Sequence, residues 1–404
     1  MDLINQIKQC VETHFNETVQ RRQYLHQHPE LSFQEYQTAA YIQATLEQLS
    51  IPYISVAKTG VLAWIEGEKS ASNDVIVLRA DIDALPIQEL NEISYKSIHE
   101  GVMHACGHDF HTSNLLGTAT VLQELKHLFS GKILLLFQPA EERIPGGAQE
   151  ILRSGVLDEY EDRIKAVLGL HVSPQLPIGE VGICPGEFMA SSDEFYIRIK
   201  GRGGHAAEPH HAIDPVYIGA QLLSSLQHIV SRRSNPAVPA VLTFGHFIGN
   251  GAVNVIPDEV YMEGTFRTMD EQGRKEALEQ IEYLIRELPK SFGADVELTI
   301  KNGYPFLYND PSLSQSVRTY MTEILPEDTV KDIGIWMAAE DFAYYSHRFP
   351  SLFFLVGTRN EQRQTSYGLH NAQFNLDENA FRTAMQTMTY ASIRLLGFGD
   401  RQGM

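Results

Sequence analysis

Short apolar runs alternate with amphipathic stretches through the first half of the chain. Three runs, Val75–Leu78, Ile133–Phe137 and Ala166–Leu170, are rich in branched residues. Uninterrupted apolar runs of this length are typical of buried strands. Ser32 and Glu35 have the spacing of a capping box at the start of a helical stretch. This alternation of strands and helices predicts an α/β domain with a largely parallel sheet.

The pattern changes near residue 187, where a second unit begins. Its elements follow the order strand, helix, strand, strand, helix, strand, which is the split β-α-β arrangement. They are Phe195–Lys200, Pro215 to about Arg233, Val238–His246, Val260–Arg267, Gln272–Leu288 and Val296–Lys301. The α/β pattern then resumes, with a strand at Ser351–Val356 and a closing helix at Asn379–Leu396. We therefore expect a discontinuous domain of residues 1–186 and 302–404, and an inserted domain of residues 187–301.

Ionisable residues directly follow the three buried strands of the first half. Asp81 and Asp83 come after the first strand, Glu141 and Glu142 after the second, and His171 after the third. Sites in open α/β sheets form just beyond the carboxyl ends of the strands, so these residues predict one shared site. The two aspartates either orient ligand imidazoles from behind or cap the following segment, and both roles stay open.

The segment MHACGHDFHT concentrates possible metal donors, since Cys106, His108, Asp109 and His111 lie within six residues. A thiolate, an imidazole and a carboxylate together suit zinc or a similar divalent transition ion. Asp109, like the two aspartates above, is a candidate for the support of the ligands. The alternative is that Cys106 is simply a buried cysteine, since free cysteines are among the most buried residues.

Two further histidines, one after the third strand and one near the C-terminus, extend the donor set. Each alone is more often a structural histidine. Together the candidate ligands are Cys106, His108, Glu142, His171 and His370. Five ligands are too many for one tetrahedral zinc with an open position, so they favour two metals with a shared ligand and a water. The neighbouring Glu141 then stays free to take a proton from that water.

Three residues of the inserted domain are candidates for substrate contacts. His205 lies in a glycine-rich turn, GGHA, where the backbone can approach a ligand closely. Asn254 in GAVNVIPD offers an amide, and Arg267 in GTFRT offers a fork for a carboxylate. The alternative for each of them is an ordinary surface residue.

Composition narrows the choice of partners and compartment. The 404 residues carry a net charge of −19, which argues against nucleic acid or an anionic membrane as a partner. Cys10, Cys106 and Cys184 are too few for a disulfide framework, and they fit a reducing cytosol. The first residues lack the apolar run of a signal peptide, and no apolar stretch approaches the roughly 18 to 20 residues of a membrane span. We expect a cytoplasmic protein.

The motifs taken together carry a resemblance to a known family. They are ADIDALP, GVMHACGHDFHT, QPAEE, GLHV, GRGGHAAEPHHAIDP, NVIPD, GTFR, EDFAYY and LHNAQFNLD. As a set they resemble the amidohydrolase branch of the aminoacylase-like dinuclear metallopeptidases. That branch includes hippurate hydrolases, N-acetyl-diaminopimelate deacetylases and indole-acetyl-amino-acid hydrolases. The resemblance runs from about Arg22 to Phe381.

The resemblance implies a three-layer α/β catalytic domain with a mostly parallel mixed sheet and an inserted ferredoxin-like lid, often used for dimerisation. It implies that the five donors above bind two divalent metals, with zinc or manganese first and nickel or cobalt as alternatives. Glu141 would be the general base. His205 would polarise the scissile carbonyl, from the same or a neighbouring subunit, while Asn254 and Arg267 hold the substrate carboxylate. The substrate would be a small N-acyl amino acid, and the assembly a homodimer or a tetramer.

Three other interpretations of the residues stay open. Cys106 could be a nucleophile that forms an acyl-enzyme. The same scaffold could act as a dipeptidase, which would require a free amine on the substrate. A binding protein without activity could also keep the fold, although the general base and every ligand position are filled.

Overall fold

The computed structural model describes residues 2–69, 72–363, 365 and 367–397. It divides into two compact units. The first consists of the chain up to Phe188, Tyr308–Ile335 and the chain from Asp341 onward, and the second of Met189–Leu307 and Trp336–Glu340. The boundaries lie a few residues beyond those expected. The short Trp336–Glu340 segment joins the second unit, where Trp336 pairs with Met189. No pattern along the chain predicted that this segment would leave the first unit.

The elements follow each other along the chain in three groups. The chain before the insertion forms α1 (Leu3–Gln27), α2 (Tyr36–Gln48), β1 (Tyr53–Val56), β2 (Gly60–Glu66), β3 (Val75–Asp81), α3 (His108–Glu124), β4 (Lys132–Gln138), α4 (Gly147–Arg153), β5 (Ile164–Pro177), β6 (Val181–Ile183) and β7 (Gly186–Met189). The insertion forms β8 (Asp193–Lys200), β9 (Gly204–His205), α5 (Pro215–His228), β10 (Ala240–Ile248), β11 (Val255–Ile256), β12 (Glu259–Thr268), α6 (Glu271–Ser291) and β13 (Asp295–Asn302). The final part forms β14 (Leu307–Asn309), α7 (Pro311–Ile324), β15 (Val330–Asp332), α8 (Ala343–Ser346), β16 (Ser351–Arg359) and α9 (Ala380–Leu395).

The first unit is built on a mixed sheet with the strand order β1-β2-β4-β3-β5-β16-β6-β15. Its centre, from β4 through β3 and β5 to β16, is parallel, and antiparallel pairs flank it. Every residue of β3 is buried. Ile76 and Leu78 join a core with residues of α1, α3 and α9, while Val77 is buried on the opposite face. Burial of both faces is characteristic of parallel sheets, and it confirms the predicted α/β class.

The second unit contains a four-stranded antiparallel sheet with the order β10-β12-β8-β13. Phe195, Ile197 and Ile199 of β8 point to one face, where they pack with residues of α5 and α6. The element order β-α-β-β-α-β and this strand order are those of the predicted ferredoxin-like fold. The predicted first helix is shorter than expected, because α5 ends at His228 and a π-helical turn follows.

The predicted capping box at Ser32 and Glu35 is wrong. Helix α2 begins at Tyr36, and the Glu35 side chain makes no capping bond. Glu30 provides the cap, since its carboxylate accepts hydrogen bonds from the backbone N–H groups of Gln37 (3.1 Å) and Thr38 (2.8 Å). The side chains of Ser32 and Glu35 are buried and form hydrogen bonds with other segments.

Candidate metal centre

The candidate ligands of the first unit meet at the carboxyl edge of its sheet. Cys106 precedes α3, and His108 is its first residue. Glu142 follows β4 by a few residues, and His171 lies within β5. His370 comes from the loop between β16 and α9, where its backbone N–H donates to the Ala105 carbonyl (2.8 Å). The parallel centre of the sheet therefore brings together donors from distant parts of the sequence.

Cys106 belongs to two groups of possible ligands at once. Its Sγ joins His108 and His171 in one group and Glu142 and His370 in the other. Within each group the donor atoms lie within 4.8 Å of one another. The Sγ is 3.3 Å from the Nε2 of His171 and 3.3 Å from the Nε2 of His370. A donor with a partner group on either side is the arrangement expected of a ligand shared by two metals.

The polar atoms where the candidate ligands meet are better suited to binding cations than to forming hydrogen bonds with each other. The Nε2 of His108 and the Oε1 of Glu142 are buried and have no hydrogen-bond partner among the described residues. The Oε1 of Glu142 also lies 3.2 Å from the Nε2 of His370. Burial, and then the charges of Glu142 and Glu141, raise the pKa of the Cys106 thiol well above its usual value. A positive charge at the centre would relieve this repulsion and stabilise the thiolate.

Hydrogen bonds at the far nitrogen orient two of the imidazoles. The Nδ1 of His108 faces the Asp83 carbonyl (2.9 Å) and the Asp83 Oδ1 (3.2 Å). The Nδ1 of His171 faces the carbonyl of Val172 (2.8 Å). Each Nδ1 therefore carries the proton, which leaves Nε2 as the donor atom for a metal. Burial, and then the neighbouring His111, hold the pKa of His171 well below its usual value, so this imidazole is neutral.

Asp83 supports the acidic pair as well as a ligand. Its Oδ1 accepts a hydrogen bond from the Glu141 N–H (3.1 Å), and its Oδ2 accepts one from the Glu142 N–H (3.0 Å). With its bond to His108, this one buried carboxylate contacts three candidate site residues. These contacts are those expected of an orienting residue, and Asp83 is the cap of none of the helices among the described residues.

Asp81 and Asp109 have different surroundings. Asp81 accepts hydrogen bonds from the Nδ1 of His111 (2.6 Å) and from Arg79 (2.7 Å), and it lies 3.7 Å from the Nε2 of His108. Asp109 accepts hydrogen bonds from Arg22 (3.0 Å) and from the Nδ1 of His26 (2.9 Å), both on α1. Its carboxylate thus ties α1 to the start of α3 and forms no hydrogen bond with a candidate ligand.

His111 is one of the possible donors of the segment MHACGHDFHT, but the sequence pattern assigned it no role. Its Nδ1 donates to Asp81, so its Nε2 is free to accept the backbone N–H of Val172 (3.0 Å). Its two nitrogens are therefore occupied, and it braces the strand next to His171. The signal was present in the sequence, because His108 and His111 have the spacing that places both on one side of a helix.

Arg79 is a second residue to which the sequence pattern assigned no role. This guanidinium is 2% exposed and donates to Asp81 (2.7 Å), Asp341 (2.7 Å) and Gln138 (3.0 Å). Gln138 and the backbone of Ala148 also donate to Asp341. A charged residue inside an apolar strand was the available signal. Its partner at position 341 could not be identified from spacing.

The three candidates of the second unit lie on two of its sheets. His205 on β9 pairs with Val255 on β11, and the Ala206 N–H donates to the Asn254 carbonyl (3.0 Å). One small ribbon thus carries both His205 and Asn254. Arg267 lies on β12, and its Nη1 is buried without a hydrogen-bond partner among the described residues. Burial lowers the pKa of Arg267, and the charge of Glu194 opposes this shift.

The fold and this set of donors define a hydrolase that acts on amide (C–N) bonds. The chain belongs to Peptidase family M20/M25/M40, whose profile matches residues 77–393. This confirms the family that the motifs indicated. The part of the chain that the structure describes contains no helix with both the length and the apolar character to cross a membrane.

Similar proteins extend over most of the chain. It is 41% identical over 376 residues to an N-acetyl-L-cysteine deacetylase of Bacillus subtilis, covering 93% of this chain and 87% of that protein. It is 43% identical over 300 residues to an N-acyl-L-amino acid amidohydrolase of Geobacillus stearothermophilus, covering 74% and 80% of the two chains. The crystal structure of the Bacillus subtilis YXEP protein, a dinuclear metal-binding peptidase of the M20 family, matches with a TM-score of 0.79 and 34% identity, covering 96% and 99%.

Proposed function

We propose that this protein hydrolyses the amide bond of small N-acyl amino acids, with an acetyl, benzoyl or similar acyl group. The observation that carries the proposal is that Cys106 is shared by two ligand groups, with the further carboxylate of Glu141 beside them. The names of the relatives, which describe deacetylation of N-acetyl-L-cysteine and hydrolysis of N-acyl-L-amino acids, support the substrate class.

The residues that would hold two divalent ions are Cys106, His108, Glu142, His171 and His370. When bound, such ions lower the pKa of a water and polarise the amide carbonyl. The thiolate favours zinc, while manganese, nickel and cobalt are the alternatives. A thiol ligand also has to stay reduced, which supports a cytoplasmic location.

Glu141 is the proposed general base. Glu141 is 6% exposed, and it forms with His108 and Glu142 a group whose potential ligand atoms lie within 4.8 Å of one another. It accepts a proton from the attacking water and gives it to the leaving amine, so one carboxylate serves both halves of the reaction. The Asp83 carboxylate fixes the backbone of Glu141 and so limits the positions that its side chain can take.

His205 is the proposed donor to the carbonyl oxygen of the substrate. Its Nδ1 accepts a hydrogen bond from the Ala207 N–H (3.1 Å). A neutral imidazole in this position carries its proton on Nε2. His205 is exposed, so this N–H is available to an oxygen that becomes negative as the tetrahedral intermediate forms.

Arg267 and Asn254 are the proposed site for the substrate carboxylate. The Nη1 of Arg267, which is buried and has no hydrogen-bond partner among the described residues, supports this role, because a bidentate carboxylate satisfies a guanidinium best. Asn254 is exposed next to the β9–β11 ribbon and adds an amide donor. A carboxylate site would restrict the enzyme to acylated amino acids and would exclude simple acyl amines.

We also propose a homodimer formed through the second unit. Strand β10 is one of the two edge strands of its sheet, and Val241, Phe247 and Ile248 on it are exposed. An unprotected edge with apolar side chains is a surface that proteins normally cover. Sedimentation analysis tests this, and the substitution Phe247→Glu should shift the protein toward the monomer.

One experiment tests the activity itself. The purified protein is stripped with a chelator, reloaded separately with zinc, manganese, nickel or cobalt, and assayed on acetyl- and benzoyl-amino acids and on glycyl dipeptides. Chelator-sensitive cleavage of the acylated substrates supports the proposal. Exclusive cleavage of the dipeptides would favour a dipeptidase, an acyl-enzyme on Cys106 would favour a cysteine nucleophile, and no turnover with metal bound would favour a binding protein.

A further inference from the structure

Glu35 connects the start of helix α2 to the loop that carries the proposed general base. We propose that Glu35 is a positioning residue for Glu141, holding Ala140 in the backbone conformation that directs the Glu141–Glu142 pair toward the site. This inference rests on the proposed function of Glu141. It assigns a role to the segment that the sequence pattern had wrongly marked as a helix cap.

The carboxylate of Glu35 is fully buried and accepts three hydrogen bonds. Its Oε1 accepts one from the Ala140 N–H (2.8 Å) and one from the Phe33 N–H (2.9 Å). Its Oε2 accepts one from the Thr59 hydroxyl (2.7 Å). The carboxylate thus fixes the residue directly before Glu141 across a separation of 105 positions.

Ala140 adopts a conformation that needs support. Its φ is +53°, in the left-handed region that residues with a Cβ rarely occupy. The Gly147 N–H donates to the Ala140 carbonyl (3.0 Å), so both backbone groups of Ala140 are bonded. A Cβ at Gly147 would lie 1.8 Å from the Pro139 carbonyl oxygen. The backbone packs too closely here to relax, and the strained residue persists only because its surroundings determine it.

The acidic pair is held at two points with separate tasks. Asp83 accepts the N–H groups of Glu141 and Glu142, while Glu35 accepts the N–H of the residue before them. The Ser32 hydroxyl donates to the Asp83 Oδ2 (2.7 Å), so the segment that carries Glu35 also contacts Asp83. Loss of Glu35 would therefore release Ala140 and leave the pair held by Asp83 alone, so Glu141, which directly follows Ala140, would shift more than Glu142.

The buried position of the Glu35 carboxylate is not explained by capping of helix α2. Burial, and then the charge of Asp83, raise the pKa of Glu35, so a carboxylate is costly here unless specific donors surround it. The helix cap is already supplied by Glu30, a few residues earlier. Glu30 is thus a natural control, since it stabilises α2 and its carboxylate forms no hydrogen bond with the loop of residues 139–142.

The test compares Glu35→Ala, Glu35→Gln and Glu30→Ala in the metal-loaded enzyme. We expect Glu35→Ala to lower kcat roughly 10- to 100-fold, the cost of a displaced catalytic group, with KM and metal content unchanged. Glu35→Gln should retain most of the activity, because its amide oxygen can accept the same N–H groups. Glu30→Ala should lower the melting temperature and leave kcat unchanged.

Amide hydrogen exchange gives a readout that does not depend on activity. In Glu35→Ala, the peptide containing residues 138–142 should exchange faster than in wild type and in Glu30→Ala. If Glu35→Ala does not fold, Thr59→Val replaces it, since it removes only the hydroxyl donor to Oε2, and a smaller change in the same direction is expected.

Two results would overturn the inference. One is a folded Glu35→Ala enzyme with wild-type kcat and exchange, and the other is an equal loss of kcat in Glu35→Ala and Glu30→Ala. A wild-type protein that is inactive on every acyl-amino acid would instead remove the proposed function, while the exchange experiment would still report on the contact between Glu35 and Ala140.

Discussion

Cys106 and His370 are 264 positions apart in the sequence, and the Sγ of the first lies 3.3 Å from the Nε2 of the second. The same Sγ is as close to the Nε2 of His171. One thiol thus stands between two groups of donors from distant parts of the chain. If it is a shared ligand, its removal affects both metals at once, and its oxidation inactivates the enzyme.

The first prediction concerns that shared position. Cys106→Ala should lose both metals and nearly all activity, whereas Cys106→Asp should keep part of both, because a carboxylate can also bridge two ions. Metal content per chain, measured by mass spectrometry after gel filtration, checks this.

The same position also predicts sensitivity to oxidation, since peroxide should inactivate wild type in step with oxidation of Cys106. A Cys10→Ser/Cys184→Ser double variant, which keeps Cys106, should be as sensitive to peroxide as wild type. Wild-type activity that survives peroxide would count against Cys106 as a metal ligand.

The second prediction separates two adjacent glutamates. Glu141→Ala should lower kcat by about 10²- to 10⁴-fold, the usual contribution of a general base, and should retain its metals. Glu142→Ala should lose metal, because it removes a ligand. The two variants form a matched pair, since both shorten one carboxylate of the same loop. Near-normal turnover in Glu141→Ala would rule out its role as the base.

The third prediction uses the tautomer of His205. Gln at this position can place an N–H close to the site of the imidazole Nε2, while Asn places it nearer the Nδ1. His205→Gln should therefore retain more activity than His205→Asn, and the two variants should differ in kcat.

Mixing inactive Glu141→Ala and His205→Ala proteins then tests where His205 acts. Recovered activity means that it acts across subunits, and no recovery means that it acts within one chain.

The fourth prediction concerns the substrate carboxylate. Arg267→Ala should raise KM by about 10- to 100-fold, since hydrogen bonds to a charged group contribute roughly 1.5 to 3 kcal/mol. Arg267→Lys should recover only part of this, because an ammonium lacks the planar fork. An acylated amine without a carboxylate is the control substrate, and both enzymes should process it equally poorly. A variant with unchanged KM would place the carboxylate elsewhere.

The fifth prediction is a pH dependence of stability at His26. Its Nδ1 faces Asp109 (2.9 Å) and its Nε2 faces Glu89 (3.1 Å), so the protonated imidazole satisfies both. Burial alone would lower the pKa of His26, but these hydrogen bonds outweigh it and raise the pKa. The stabilisation is then complete below the unfolded pKa of about 6.5 and is lost as pH rises through the folded pKa.

His26→Asn should accordingly destabilise the enzyme by about 3 kcal/mol near pH 6 and by less at alkaline pH. Urea unfolding of both proteins across this range measures the difference. A difference that stays constant or grows with pH would show that His26 is neutral in the folded protein.

The sequence determined the class of fold and selected the candidate donors that the structure brings together. The apolar runs of β3, β4 and β5 marked buried strands, because burial on both faces requires unbroken apolar residues. The order of elements in residues 187–301 was sufficient to predict the ferredoxin-like unit. The spacing of apolar residues that distinguishes a helix from a strand is a local property of the sequence. The donor residues stood out because thiol, imidazole and carboxylate groups cluster directly after these strands.

Only the tertiary structure decided what each buried polar group bonds to. The pattern at Ser32 and Glu35 was that of a helix cap, yet Ser32 binds Asp83 and Glu35 binds Ala140. Arg79 and Asp341 form a buried ion pair across 262 positions. A buried donor or acceptor must find a partner, but any compatible group that the fold brings near can serve. Spacing along the chain fixes local geometry, and the choice among distant partners belongs to the packed structure.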